Sequence, residues 1–258
     1  MSTVTSHQPG AFCWVELATS DQQAAKAFYS SLFGWNINDK DMGPNGVYTI
    51  FELNGNDAAA AYTLDPERQQ GVPPHWSLYI ATSDAEASAR RCAELGGEIL
   101  VPAFDVYDLG RMAVLKDPTG AIYNVWQPGK NTGIGIQNEA NAFCWGQLNT
   151  SDTTKAEGFY KAMFNWGANT GTGGGMTYTE WQQDGIPIGG MMSLPESALA
   201  PSHWLTYFSV ADCDAAVAKA TTLDAQIYVP PSDIPGTGRF AVLADPQGAA
   251  FALYQQNN

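Results

Sequence analysis

"FCWVELATSD", Phe12–Asp21, decides the fold because the chain writes it twice. Phe143–Asp152 reads "FCWGQLNTSD", identical at seven of ten positions. Further on, "GRMAVLKDPTGA" (Gly110–Ala121) returns as "GRFAVLADPQGA" (Gly238–Ala249), identical at nine of twelve. The offsets are 131 and 128 residues, so the copies differ in length by only a few residues. Two matches in the same order mark a tandem duplication. The reading divides the chain into a first domain at 1–128, a linker at 129–141 and a second domain at 142–258.

A fainter repeat lies inside each half. "ATSD" stands at Ala18–Asp21 and again at Ala81–Asp84, each time where a strand-like run gives way to a helix. Ser20 with Gln23, and Ser83 with Glu86, have capping-box spacing. Ala24, Phe28 and Leu32 then recur every four residues, as one face of an amphipathic helix requires. "AEASARRCAEL" follows Ser83 and stops at Gly96-Gly97. Short β-type runs come after each helix: "VYTIFEL" and "AAAAYTL", then "GEILVPA", "RMAVLKD" and "AIYNVWQ". The unit is strand, helix, strand, strand, strand, and the chain holds four copies.

The βαβββ unit, the helix ending "A-F-Y-x-x-x-F-x-W" (Ala27–Trp35, with Gly158–Trp166 opposite) and the closing "D-P-x-G-A" resemble the vicinal oxygen chelate superfamily. That group contains glyoxalase I, extradiol dioxygenases and bleomycin-resistance proteins, and the two-domain glyoxalase-like branch is the nearest in pattern. The resemblance implies an α+β protein of two tandem glyoxalase-like domains. In each, a pair of units forms a curved sheet, or cup, with helices outside. It also implies inward-facing ligands for a divalent metal. Those positions fall on Trp14, Ser77 and Asn124 in the first half, and on Trp145, Leu205 and Ala252 in the second. None is the carboxylate, imidazole or thiolate that such a metal takes. No metal or other cofactor is therefore expected at the usual place.

Strand alternation assigns the faces. Trp14, Glu16 and Ala18 point into the first cup, with His75, Ser77, Tyr79, Asn124 and Trp126. The second cup receives Trp145, Gln147, His203 and Tyr207. Glu16 and His75 are the candidate catalytic pair, either as a general base with its orienting carboxylate or as a displaced divalent-metal site. The competing reading makes His75 and His203 strand-edge scaffold. Trp14, Ser77, Tyr79, Asn124, Trp126, Trp145, Gln147, His203 and Tyr207 are candidate binding residues. Aromatic rings there could sandwich a flat organic molecule or simply fill the cup. Arg111 and Arg239 could clamp a carboxylate, or pair with Asp117, Asp245 or a nearby loop. "DPTGA" and "DPQGA" read as turns alone.

Composition narrows the partners. A formal charge of −14 disfavours nucleic acid and anionic membranes. No apolar run approaches the roughly 20 residues of a membrane span, and "MSTVTSHQPGAF" has neither a basic nor a hydrophobic leader region. Four cysteines without a CxxC fit a reduced, cytoplasmic protein. Four units on one chain complete both cups in a monomer, and a homodimer is compatible. The function expected is binding of a small, possibly aromatic, organic molecule without the family's metal. The alternative is a metal-dependent or acid–base lyase, isomerase or hydroxylase working through Glu16 and His75.

Overall fold

The computed structural model describes residues 3–65, 71–173, 176–195 and 200–257. The first half contains β1 (Phe12–Thr19), α1 (Gln22–Phe33), β2 (Asn36–Asp41), β3 (Val47–Leu53) and β4 (Asn56–Thr63). It continues with β5 (His75–Ala81), α2 (Ala85–Glu94), β6 (Glu98–Val106), β7 (Gly110–Lys116) and β8 (Ile122–Pro128). The second half repeats the order as β9 (Phe143–Thr150), α3 (Thr153–Phe164), β10 (Gly167–Gly173), β11 (Met176–Gln183) and β12 (Ile186–Ser193). It ends with β13 (His203–Ser209), α4 (Cys213–Thr222), β14 (Gln226–Ile234), β15 (Gly238–Ala244) and β16 (Ala250–Gln256). Each half forms one eight-stranded sheet, ordered β2-β3-β4-β1-β5-β8-β7-β6 and β10-β11-β12-β9-β13-β16-β15-β14. Within each sheet the two βαβββ units join where β1 meets β5, or β9 meets β13, antiparallel.

The helices start one residue later than their capping boxes suggest. Asp21, Asp84, Asp152 and Asp212 are the N-caps, each accepting the backbone N–H three residues on. A carboxylate satisfies that exposed amide and complements the positive helix end. Gln22 instead docks α1 on its sheet, its Nε2 donating to Val47 O, Thr49 Oγ1 and Ala61 O. Gly34, at φ +73°, closes α1 in the left-handed conformation that glycine adopts without strain.

The two halves pack against each other through β5 and β13 and through the helix pairs α1–α4 and α2–α3. Trp76 lies edge-on to Phe208 with ring centroids 5.0 Å apart, and Phe33 is 5.1 Å from Phe208. Phe12 meets Trp166 and Trp204 at 5.4 and 5.5 Å. It lies over Gly146 and Gly189, where a Cβ would come within 3.0 and 2.8 Å of its ring.

A pair of polar relays crosses this interface. Trp76 Nε1 donates to Tyr29 Oη (2.9 Å), which donates to Asp245 Oδ2 (3.0 Å) in the other half. Trp204 Nε1 donates to Tyr160 Oη (3.0 Å), which donates to Asp117 Oδ2 (2.9 Å). The "DPxG" aspartates thus do more than turn the chain. Oδ1 of each holds its own turn amides, while Oδ2 staples the halves together. This corrects one expectation for the arginines. Asp117 and Asp245 are buried and already bonded, so Arg111 pairs with Asp105 and Glu86, and Arg239 with Asp233 and Asp214.

Candidate functional site

The concave face of the first sheet is built from alternate residues of β1, β3, β5 and β8. Register sets Glu16 opposite Ser77, Trp14 opposite Tyr79, and Tyr79 beside Asn124. At the floor, Tyr48 Oη donates to Glu16 Oε1 (2.6 Å) and Tyr79 Oη to Glu16 Oε2 (2.7 Å). Trp14 Nε1 donates to Tyr48 Oη at 3.2 Å. The carboxylate is therefore held by two phenols, one of them fixed by an indole.

Burial raises the pKa of Glu16, because a charge removed from water is disfavoured, and the two phenol donors only partly oppose that rise. Both tyrosines are pushed well above the usual phenol range, first by burial and then by the neighbouring carboxylate. They remain donors at any ordinary pH.

Two further polar groups line this floor. Asn124 is 4% exposed and stands beside Tyr79 in the β5–β8 register. Ser77 is half-buried directly across from Glu16.

The second cup repeats the frame and changes its chemistry. Trp145 Nε1 donates to Tyr178 Oη (2.9 Å), and Tyr178 and Tyr207 both donate to Gln147 Oε1, at 3.2 and 3.0 Å. Gln147 Nε2 donates to Asn149 Oδ1 at 2.9 Å and reaches Met192 Sδ at 3.3 Å. Asn149 Nδ2 lies 3.3 Å from His203 Nε2, and His203 Nδ1 lies 2.8 Å from Pro201 O. Pro201 O can only accept, so Nδ1 is the donor in that contact. Where the first cup has Ser77 and Asn124, this one has Leu205 and Ala252, packed with Tyr207, Trp145, Phe240 and Tyr254 as an apolar patch.

Trp14, Glu16, Ser77, Tyr79 and Asn124 thus come together as the sequence suggested, and so do Trp145, Gln147 and Tyr207. Trp126 reaches the linker, its Nε1 donating to Asn131 O at 3.0 Å. The structure does not bond Glu16 to His75. His75 pairs with Ala18 in the β1–β5 register, two residues along from Glu16, and its Nδ1 lies 2.9 Å from Pro73 O. The two tyrosines occupy the carboxylate instead. They are what the sequence reading missed in this cup, for it named Tyr79 but not Tyr48. The signal was present: "YT" of Tyr48-Thr49 recurs at Tyr178-Thr179, near the start of both third strands.

The donor set does not suit a divalent metal. Glu16 is the sole carboxylate among the floor residues, both of its oxygens accept phenol protons, and its neighbours are indole, phenol, hydroxyl and amide groups. Among the described residues, no three His, Cys, Asp or Glu side chains converge as a metal site would require.

Paired cups built from βαβββ units, each with a polar group at the centre of its floor, define a two-domain glyoxalase-type protein. The family model "Glyoxalase/Bleomycin resistance protein/Dioxygenase superfamily" matches residues 11–124 and 142–253, and the chain belongs to that superfamily. It is 39% identical over 251 residues to "Putative glyoxylase CFP32" of Mycobacterium tuberculosis, covering 96% of each chain. It is 35% identical over 264 residues to "Anthracycline biosynthesis protein DauV" of a Streptomyces species, covering 98% of this chain and 95% of the relative. Among solved structures it superposes on the 2,3-dioxygenase LapB from Pseudomonas with a TM-score of 0.66, at 11% identity over 98% of this chain and 94% of that one. A Mn(II)-bound glyoxalase from Novosphingobium aromaticivorans gives 0.65, at 12% identity over 96% and 82%. At those identities the structural likeness concerns the fold alone.

Proposed function

We propose that the protein binds a small, flat organic molecule in its first cup, without the family's divalent metal. The polar floor of the first cup, with Asn124 buried beside Tyr79, carries this reading. Beside Asn124 lie Ser77 and a buried carboxylate, and the second cup replaces all three polar groups with less polar ones. A molecule offering one hydrogen bond to Asn124 and another to Ser77 would match the polar groups of this floor. Trp14 and Tyr79 supply the ring surface. The curated relatives support a small-molecule role, one named as a glyoxylase and one for anthracycline biosynthesis.

Indole N–H resonances test the proposal. Titrating a library of soluble bicyclic aromatic fragments into 15N-labelled protein should move the Trp14 signal and leave Trp145 in place. Asn124→Ala should weaken the tightest fragment about tenfold, the worth of one buried hydrogen bond. Shifts confined to Trp145, or none across the library, would contradict it. Elemental analysis of untagged protein should find less than stoichiometric Mn, Fe, Ni or Zn. One ion per chain, lost on changing Glu16 or His75, would restore the displaced-metal alternative.

Proton transfer at Glu16 is a second reading, favoured by the burial that raises its pKa. In it His75, at the cup rim, serves the same substrate rather than pairing with Glu16. As to partners and setting, the acidic surface favours neither nucleic acid nor anionic lipid. No helix of the described residues is long and apolar enough to cross a membrane. The four unpaired cysteines fit a reducing cytoplasm, and a monomer or homodimer would keep both cups.

A further inference from the structure

The duplication supplies an internal control for Glu16. Gln147 occupies the same place, beside the same tryptophan and under the same two tyrosines, with its Oε1 accepting both phenols. The frame therefore needs an acceptor at this position and does not need a charge. A buried carboxylate without a counter-ion is costly, since two phenols offset only part of its lost hydration. The ion pairs of the described residues all lie elsewhere: Lys26 with Asp39, Lys116 with Glu98, Arg111 with Asp105 and Glu86, and Arg239 with Asp233 and Asp214 among them. No described cationic side chain balances Glu16.

Resting on the small-molecule reading above, we infer that the first cup selects an organic cation, an amine carried on a flat conjugated ring, and that Glu16 is the residue that selects it. The ammonium would provide the missing counter-charge through a charge-assisted hydrogen bond. The faces of Trp14 and the neighbouring tyrosines would add cation–π attraction in a partly desolvated setting. The Asn124 carbonyl would accept a further N–H. The second cup, with Gln147, Leu205 and Ala252, has no charge to offer and would not discriminate in this way.

Three matched probes test this by calorimetry at pH 7: 1-naphthylmethylammonium, 1-naphthylmethanol and 1-naphthoate. The ammonium should bind about tenfold more tightly than the alcohol, with the naphthoate weakest. Glu16→Gln should weaken the ammonium by about the same factor and change the alcohol by less than about twofold. Circular dichroism checks that the variant folds, as Gln147 in the sister cup leads one to expect. Asn124→Ala should weaken ammonium and alcohol alike, locating them in the cup. Cup binding with no preference for the ammonium, or a preference that survives Glu16→Gln, overturns the inference while leaving the small-molecule reading intact. Probe binding indifferent to Asn124→Ala, or no probe binding at all, also overturns it. The small-molecule reading itself fails if the Trp14 indole resonance stays silent across the wider library.

Discussion

Glu16 is the residue on which the chemistry of the first cup turns. Its carboxylate is buried, its pKa is raised by that burial, and Tyr48 and Tyr79 hold both oxygens. A raised folded-state pKa means that the native state holds the proton more tightly than the unfolded chain does. The resulting stabilisation is complete below the unfolded value near 4.5 and disappears as pH rises through the folded value. Glu16→Gln removes this dependence. The difference in Tm between variant and wild type should therefore move in the variant's favour as pH rises above about 4.5. Parallel Tm-against-pH curves would show that the carboxylate titrates as it would in water. Asp245 is also raised by burial and contributes with the same sign, so the comparison must be made against wild type rather than read from one curve.

At the scale of elements, the relay from β5 through α1 to the turn before β16 ties one half to the other. Tyr29→Phe would leave both Trp76 Nε1 and Asp245 Oδ2 without their partner in a buried place. A loss of about 2–4 kcal/mol in urea unfolding is expected, two unsatisfied groups at about 1–2 kcal/mol each. A loss below about 0.5 kcal/mol would show that water replaces the hydroxyl. Neither relay was legible in the sequence. "DPTGA" reads as turn chemistry because a local pattern reports only local bonds, whereas Tyr160 comes to Asp117 from 43 residues away. The helix caps were legible to within one residue, since Ser20 and Asp21 are both good caps and only the backbone geometry separates them. Strand faces were legible outright: period-2 alternation put Trp14 and Glu16 on one side and Val15 and Leu17 on the other. Which cup residues would bond to one another was not, because that depends on register between strands. Register sets Ala18, not Glu16, across from His75.

At the scale of the whole molecule, two cups share a core that neither half completes alone. Duplication has kept the Trp–Tyr–Tyr frame in both and changed what the frame surrounds. Glu16, Ser77 and Asn124 make the first floor polar, while Gln147, Leu205 and Ala252 make the second one close on itself. The central claim is that the first cup alone takes a polar ligand. A crystal soaked with the tightest-binding aromatic fragment tests it most directly. The expected result is one molecule against Trp14, hydrogen-bonded to the Asn124 amide, with nothing ordered against Trp145. A molecule found only over Trp145 and Tyr207, with the first cup unchanged, would contradict it.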